Sequence, residues 1–531
     1  MTAVDNAAVT PTGRSGALLC LHPGDPVALA RRDLEPGERL TGGGTSVTVR
    51  DPVPHGHKVA LRPIAEGAEV RKYGHVIGLA RRSIAAGEHV HVHNLVSPSR
   101  AGRGEPEAGL ASAGAGAGEE PPATAHRPDP VPTFEGFVRA DGRVGTRNYL
   151  AVISSVNCSA TVVRRIAAAF AAPGALDDVP GVDGVIAITH RTGCGMAADG
   201  EGLALLRRTL AGYARHPNVG GVAVVGLGCE VNQVSALVAQ LDLTAGTPLT
   251  HLTIQELGGS AATVREGVAR VRELLPAVGA VRRTPVPASS LVLGLNCGGS
   301  DAWSGVSANP VLGVAVDRLV ACGGTAVLAE TPEIHGAEHL LTSRASPDVA
   351  ARLMERVTWW ERYAGADGGT LDNNPSPGNR AGGVTTIEEK SLGAVAKGGS
   401  SPLRAVYGYA EPVTDRGLVF MDTPGYDPVS VTGIVAGGAN VVCFTTGRGS
   451  VFGCKPTPSL KLASTSELYR RMIDDMDFDC GPVLDGSAGV AELGERLFAE
   501  ILAVASGRLT KSEELGFGDE EFSPWPLGAV M

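Results

Sequence analysis

Between Tyr149 and Val278 the chain repeats one pattern four times: a short unbroken apolar run, then a stretch rich in Ala, Leu and Arg at helical spacing. YLAVISSV precedes ATVVRRIAAAFAA, GVIAITH precedes AADGEGLALLRRTLAGYARH, GVAVVGL precedes VNQVSALVAQLDL, and TPLTHLTI precedes SAATVREGVARVRELLPAV. Strands that are apolar throughout, with helices between them, require a parallel sheet covered on both faces. This predicts one α/β domain over residues 133–285. Pro285 to Ser289 interrupts the run, and a second α/β unit over 286–531 is expected from SLVLGLNCGGSD, TAVLAETPE, GLVFMDT and NVVCFTTGRGS. The polar, glycine-rich segment from GADGGTLDNN to KGGSSPL reads as a long functional loop between its strands.

The first hundred residues follow other rules. Short apolar runs are broken by PGD, EPGE, AEGAE and AAGE turns, which predicts a small β-rich domain over 15–97. Residues 98–132 hold too few large apolar side chains to pack and read as a flexible linker. With 531 residues, several domains are expected. The 72 glycines would suggest low complexity, but 43% hydrophobic content points to packed cores.

Charge and composition exclude several functions. The net charge of −10 and the lack of any basic stripe argue against nucleic acid as a partner. No apolar run reaches the ~18 residues of a membrane helix, and no signal core follows the N-terminus, so a cytoplasmic protein is expected. Nine cysteines without CxxC spacing fit neither a disulfide framework nor a zinc ribbon. Only seven of the 46 basic residues are lysines, so Lys58, Lys390 and Lys397 stand out.

Four cysteines, Cys158, Cys194, Cys229 and Cys297, fall just after predicted strands, where open α/β sheets bind ligands. Any single one of them reads first as a small buried apolar residue, whereas at least one of the four is expected to line a site. His190, Cys229–Glu230 and the run AETPEIHGAEHLL, with Glu330, Glu333, His335, Glu338 and His339, combine imidazole and carboxylate groups that suit a divalent metal. HGAEH has its histidines at i and i+4, on one face of a helix turn; a solvated helix start is the alternative. In the N-terminal domain, PHGHK supplies His55, His57 and Lys58 and HVHVHN supplies His91 and His93, with His75 nearby. In a strand, residues i and i+2 face one side, so each pair is expected to share a pocket. Arg143 and Arg147 before the first α/β strand, and Arg448 in FTTGRGS, offer forks for a carboxylate. No P-loop or dinucleotide fingerprint occurs.

The blocks GHKVAL, HVHN, GFVRADGRVGTRNYLAV, THRTGCG, GLGCE, QELGGS, GLNCGGSDAWSGVSANPVLG, ETPEIHGAEHLL, NPSPGNRAGGVTTIEEKSLGAVAKGG, MDTPGYDPVSVTG and FTTGRGSVFG resemble the altronate and galactarate dehydratase family over nearly the whole chain. The resemblance implies an N-terminal β-clip domain of the SAF type, a linker and two α/β units with largely parallel sheets. It implies a hydro-lyase that forms a 2-keto-3-deoxy sugar acid with a divalent metal, Fe²⁺ first and Mn²⁺ second. The expected partners are a small sugar acid and a second copy of the chain in a homodimer.

Removing water from an aldonate means abstracting a weakly acidic proton beside a carboxylate and protonating a departing hydroxyl. On that chemistry His190, Cys194, Cys229, Glu230, Glu330 and His335 are expected to frame the metal. His55, His57, Lys58 and Lys390 are the expected acid and base groups. Arg143, Arg147, Asn296, Ser300, Asp301, Thr385, Thr386 and Arg448 are expected around the substrate. Three alternatives stand beside altronate dehydration: galactarate dehydration, a related lyase that removes sulfite from sulfolactate, and an aldonate-binding protein without activity. An iron–sulfur mechanism is a further variant if the four cysteines meet at one sheet edge, although no familiar cluster spacing supports it.

Overall fold

The computed structural model describes residues 16–98, 128–366 and 368–528. Most of the expected linker therefore lies outside the described residues. Residues 16–98 form a small β domain of three sheets. Leu18–Leu19, Val27–Ala30, Lys58–Ala60 and His89–Val90 make one antiparallel sheet. Glu69–Lys72, His75–Ala80 and Leu95–Val96 make another, and Arg39–Gly42 pairs with Thr45–Thr48. Glycines close the predicted turns. At Gly87, with φ +88°, an added Cβ would fall 1.9 Å from the Thr48 carbonyl oxygen, so only glycine fits.

The four repeats fold as predicted into a parallel sheet ordered Gly184–Ile188, Tyr149–Ser154, Val219–Gly226, Leu249–Thr253. Helices Ala160–Ala168, Glu201–Ala214, Val234–Gln240 and Ser260–Gly279 connect and cover it. Pro285 does not merely interrupt the chain. Arg283–Pro287 is a strand antiparallel to Thr133–Val138, which also pairs with Val144–Gly145.

The second unit is a seven-stranded parallel sheet in the order Leu403–Tyr407, Gly417–Met421, Thr325–Leu328, Val292–Cys297, Val441–Thr446, Ser459–Ala463, Phe478–Asp479. From Val292–Cys297 the chain first builds to one side and then returns to build to the other. The crevice outside the carboxyl ends of Val292–Cys297 and Val441–Thr446 is thus the switch point where such sheets bind ligands.

The expected long loop is instead partly helical. Ser376 caps Pro377–Ala381 in a reciprocal box with Asn379, and Thr386 accepts from Glu389 N to cap Ile387–Val395. Two glutamates in the first turn of Ile387–Val395 suit its positive end. That helix is buried along its whole length, charged residues included. No helix among the described residues is long and apolar enough to cross a membrane.

Candidate active site

Three consecutive residues of the Ile387–Val395 helix point to different partners. Glu388 accepts from Ser97 Oγ at 2.6 Å. Glu389 accepts from Lys58 Nζ at 2.9 and 3.1 Å and from Lys72 Nζ at 3.0 Å. Thr385 also donates to Glu389 through its backbone N at 2.9 Å and its Oγ1 at 2.5 Å. Lys390 turns to the other side, donating to Glu333 Oε1 at 2.6 Å and Asn374 Oδ1 at 2.8 Å. The helix therefore stands between the small β domain and the crevice of the large sheet.

On the crevice side Cys297 ends its strand and Glu330 follows Thr325–Leu328. Lys397 Nζ lies 2.7 Å from Cys297 Sγ and 3.2 Å from Glu330 Oε2. Cys297 Sγ is 3.3 Å from Glu333 Oε2. Ligand atoms of Cys297, Glu330 and Glu333 all lie within 4.8 Å of one another. Glu330 is held at φ +69°, a left-handed conformation costly for a residue with a side chain. Its Oε1 and the Oδ1 of Asn296 are buried with no hydrogen-bond partner. Asn296 Nδ2 donates to Asp427 Oδ1 at 3.1 Å.

The electrostatics follow from burial and like charge. Desolvation, then the charge of Glu333, pushes Glu330 up to about 8. Burial also pushes Glu333 upward, but Lys390 and Lys397 outweigh it and leave that carboxyl below its ordinary range. Asp427 rises to about 6 through burial and Glu333. Burial lowers both lysines, but their anionic neighbours more than offset it, so both hold their protons firmly. The soft sulfur and hard carboxylate oxygens of Cys297, Glu330 and Glu333 suit a divalent transition metal, and the unpaired Glu330 Oε1 is a donor that such an ion would satisfy.

A second group able to hold a metal lies at the domain junction. His57, His89 and His91 bring ring nitrogens within 4.8 Å of one another. His57 Nε2 is 3.3 Å from the Ala381 carbonyl oxygen and its Nδ1 is 3.0 Å from His89 Nε2. Burial first, and neighbouring cations next, hold His89 and His91 down at about 3, so both are neutral at pH 7. Sequence reasoning missed His89, although HVHVHN displays it. The expected pairing by i and i+2 does not form: Gly56, at φ +79°, turns the chain, and His55 is exposed against Trp303 while His57 is buried.

Other expected residues go elsewhere. His190, Cys194, Cys229 and Glu230 belong to the four-stranded sheet and do not join Glu330 in one ligand set. Both nitrogens of His190 are engaged, one by the Ser154 carbonyl oxygen and one by Thr192. Glu230 accepts from Ser155 Oγ and from the backbone N of Leu227 and Gly228. His335 faces Glu338 and Glu361, separated from His339 by a turn at Gly336 with φ +82°, so HGAEH is not one helix face.

Arg147 has no free donor for a substrate. It forms a bidentate pair with Glu513 and donates to the carbonyls of Thr146, Val504 and Arg508. Arg143 binds Asp141 and lines a cleft of about 780 Å³ at the amino ends of the strands, opposite the crevice. This cleft and the buried reactive groups are thus at opposite ends of the sheets; the chemistry favours the crevice. Asp301 spends its carboxylate on Trp303 N, Ser304 and Ser464, and Thr386 Oγ1 donates to the Ile77 carbonyl oxygen. Ser300 lies beside Lys390 and Tyr73 in a narrow polar pocket, and Arg448 is exposed at the crevice beside Gly299. Glu333 and Lys397 carry no sequence signal of this role beyond an acidic run and the scarcity of lysine, and Asp427, absent from the expected set, lies within a plain PGYDP turn.

Three family models match the chain in succession: the altronate/galactarate dehydratase SAF domain at 16–98, the D-galactarate dehydratase/altronate hydrolase second domain at 136–279, and the D-galactarate/altronate dehydratase C-terminal domain at 288–530. The chain belongs to the altronate/galactarate dehydratase family. It is similar to the altronate dehydratase of Bacillus subtilis (strain 168), with 35% identity over 94% of this chain and 96% of the relative. It is 36% identical to the galactarate dehydratase (L-threo-forming) of Escherichia coli (strain K12), over 96% of this chain and 97% of that one. The beta subunit of the (2R)-sulfolactate sulfo-lyase of Chromohalobacter salexigens is 33% identical over 72% of this chain and 95% of the subunit. Membership in this family makes the chain a sugar-acid dehydratase, a lyase whose SAF domain precedes the α/β units.

Proposed function

We propose that the chain dehydrates altronate to a 2-keto-3-deoxy sugar acid and water at the crevice of the seven-stranded sheet. The observation that carries this reading is the buried set Cys297, Glu330, Glu333, Lys390 and Lys397 at the switch point, with one Glu330 oxygen unpaired. Cys297, Glu330 and Glu333 would hold the metal, ferrous iron first and Mn²⁺ second. When bound, the metal supplies charge stabilisation for the anion formed by proton removal beside a carboxylate.

The chain's own groups supply the rest. Lys390 holds a proton on Nζ at neutral pH and is the acid for the departing hydroxyl. Asp427, ionised above about 6, is the base. Asn296 and Arg448 orient hydroxyls and carboxylate, and Ser300 lines the way in. We place the working protein in the cytoplasm as a homodimer, with units at 15–97, 133–285 and 286–531.

A panel of hexonates and hexarates, with sulfolactate alongside, assayed anaerobically with Fe²⁺ or Mn²⁺, tests the reading. Keto-acid formation fastest from altronate is expected. Galactarate or sulfolactate turning over faster would reassign the substrate, and binding without any keto acid would defeat the enzymatic reading.

A further inference from the structure

Of the nine cysteines six are buried, and the exposed three are Cys158, Cys194 and Cys229. Free cysteine is ordinarily among the most buried residues. These three are also not scattered. One follows each of the adjacent parallel strands Tyr149–Ser154, Gly184–Ile188 and Val219–Gly226, at one carboxyl edge. Cys297, the fourth cysteine expected there, is buried in the other sheet.

The loops carrying the three thiols are tied together. Asn157 N donates to Thr192 O at 3.0 Å, Asn232 N to Gly193 O at 3.0 Å, and Asn232 Nδ2 to Ser155 O at 2.9 Å. Glu230 and His190 spend their polar atoms on the same loops, as described above. These backbone and side-chain bonds fix the edge on which the three thiols stand exposed. Cys229 Sγ accepts from Gln255 Nε2 at 3.4 Å, and Cys158 precedes the amino end of the Ala160–Ala168 helix. Gly193 and Gly228, at φ +97° and +129°, stand immediately before Cys194 and Cys229. A side chain on Gly193 would come within 2.4 Å of the Ser155 carbonyl oxygen.

No trio of His, Cys, Asp or Glu ligand atoms gathered within 4.8 Å among the described residues includes these sulfurs. They are too widely spaced for one ion, and a cuboidal cluster holds its thiolates further apart than a single ion does. Soft thiolates select iron–sulfur clusters among such groups. We propose that Cys158, Cys194 and Cys229 bind a [4Fe–4S] cluster through three of its irons, leaving the fourth iron facing solvent and open to a hydroxyl or carboxylate oxygen. A preassembled cluster exchanges three of its ligands for the cysteine sulfurs; each Fe–Sγ bond replaces an S–H bond, the protons pass to solvent, and no electron moves. The ligands come from three strand ends 35 to 36 residues apart, which explains why no compact cysteine motif announces them.

The test is spectroscopic, so it stands apart from the crevice reading. The full chain is incubated anaerobically with ferric iron, sulfide and dithiothreitol, the thiol supplying the electrons that bring the cluster to its resting state. Expected are a broad visible absorption band, about four acid-labile sulfide per chain, and about four iron beyond any ion held at the crevice. The triple variant Cys158→Ser/Cys194→Ser/Cys229→Ser should lose band and sulfide while keeping the wild-type thermal midpoint, and Cys297→Ser should keep the band. If the triple variant does not fold, each single Cys→Ser variant must lower the sulfide content. Wild-type protein that binds iron without sulfide, or a band that survives the triple substitution, overturns the proposal.

Discussion

Two pairs of buried lysines flank one helix, and they are built differently. Lys58 and Lys72 share Glu389, whose two oxygens accept five hydrogen bonds from these lysines and Thr385. Lys390 and Lys397 meet two glutamates and a thiol, with an oxygen of Glu330 left over. A saturated buried charge network fixes how two parts dock, whereas an unsaturated one keeps a place for something else to bind. Burial and charge alone do not separate these cases. The separation lies in whether the last lone pair is spent.

Substitutions can break this contrast. The largest effect is expected at Lys390→Met, which removes the proposed acid: keto-acid formation should fall by ~10²–10⁴-fold, read from steady-state rates with the metal saturating. A rate within a few-fold of wild type would mean that this pair, too, is only structural. Next is Glu389→Gln, which leaves two buried ammonium groups facing a neutral amide. A loss of about 3–5 kcal/mol of stability is expected, measured as a lower urea midpoint, while the activity of the remaining folded protein stays near normal.

A third test uses pH. His216 is fully buried, accepts from Asn218 N and faces the Ala439 carbonyl oxygen, and desolvation holds it at about 3. Its folded value lies below that of an unfolded histidine, about 6.5. Its contribution is therefore complete above about pH 6.5 and is lost as the pH falls toward 3. His216→Gln should flatten that decline by up to about 1.4 kcal/mol per pH unit, seen in urea midpoints across the window. The smallest effect is expected at Arg143→Ala, at the opposite end of the strands: less than about a twofold change in kcat/KM. A large change there would move the reaction to the amino-end cleft.

The strands of both sheets were legible because unbroken apolar runs admit few other structures, and the cysteines after them were placed at carboxyl edges for the same reason. The scarcity of lysine was also informative: five of the seven lysines are buried. The Ile387–Val395 helix was not legible, since its neighbours Gly382, Gly383, Gly398 and Gly399 read as loop and the partners that bury Glu389 come from Lys58 and Lys72, more than 300 residues away. His190 and Glu230 were placed near the right edge, but their residue types do not reveal that their lone pairs are committed to holding loops. Arg147 failed for the same reason.

The three-way helix also dictates an order of assembly. Glu388, Glu389 and Lys390 are buried, and two of their three sets of partners belong to the small β domain, which precedes the α/β units in the chain. The carboxyl-terminal half cannot close over this helix until that earlier domain has come back to meet it. The crevice wall is thereby completed only when the small β domain is docked.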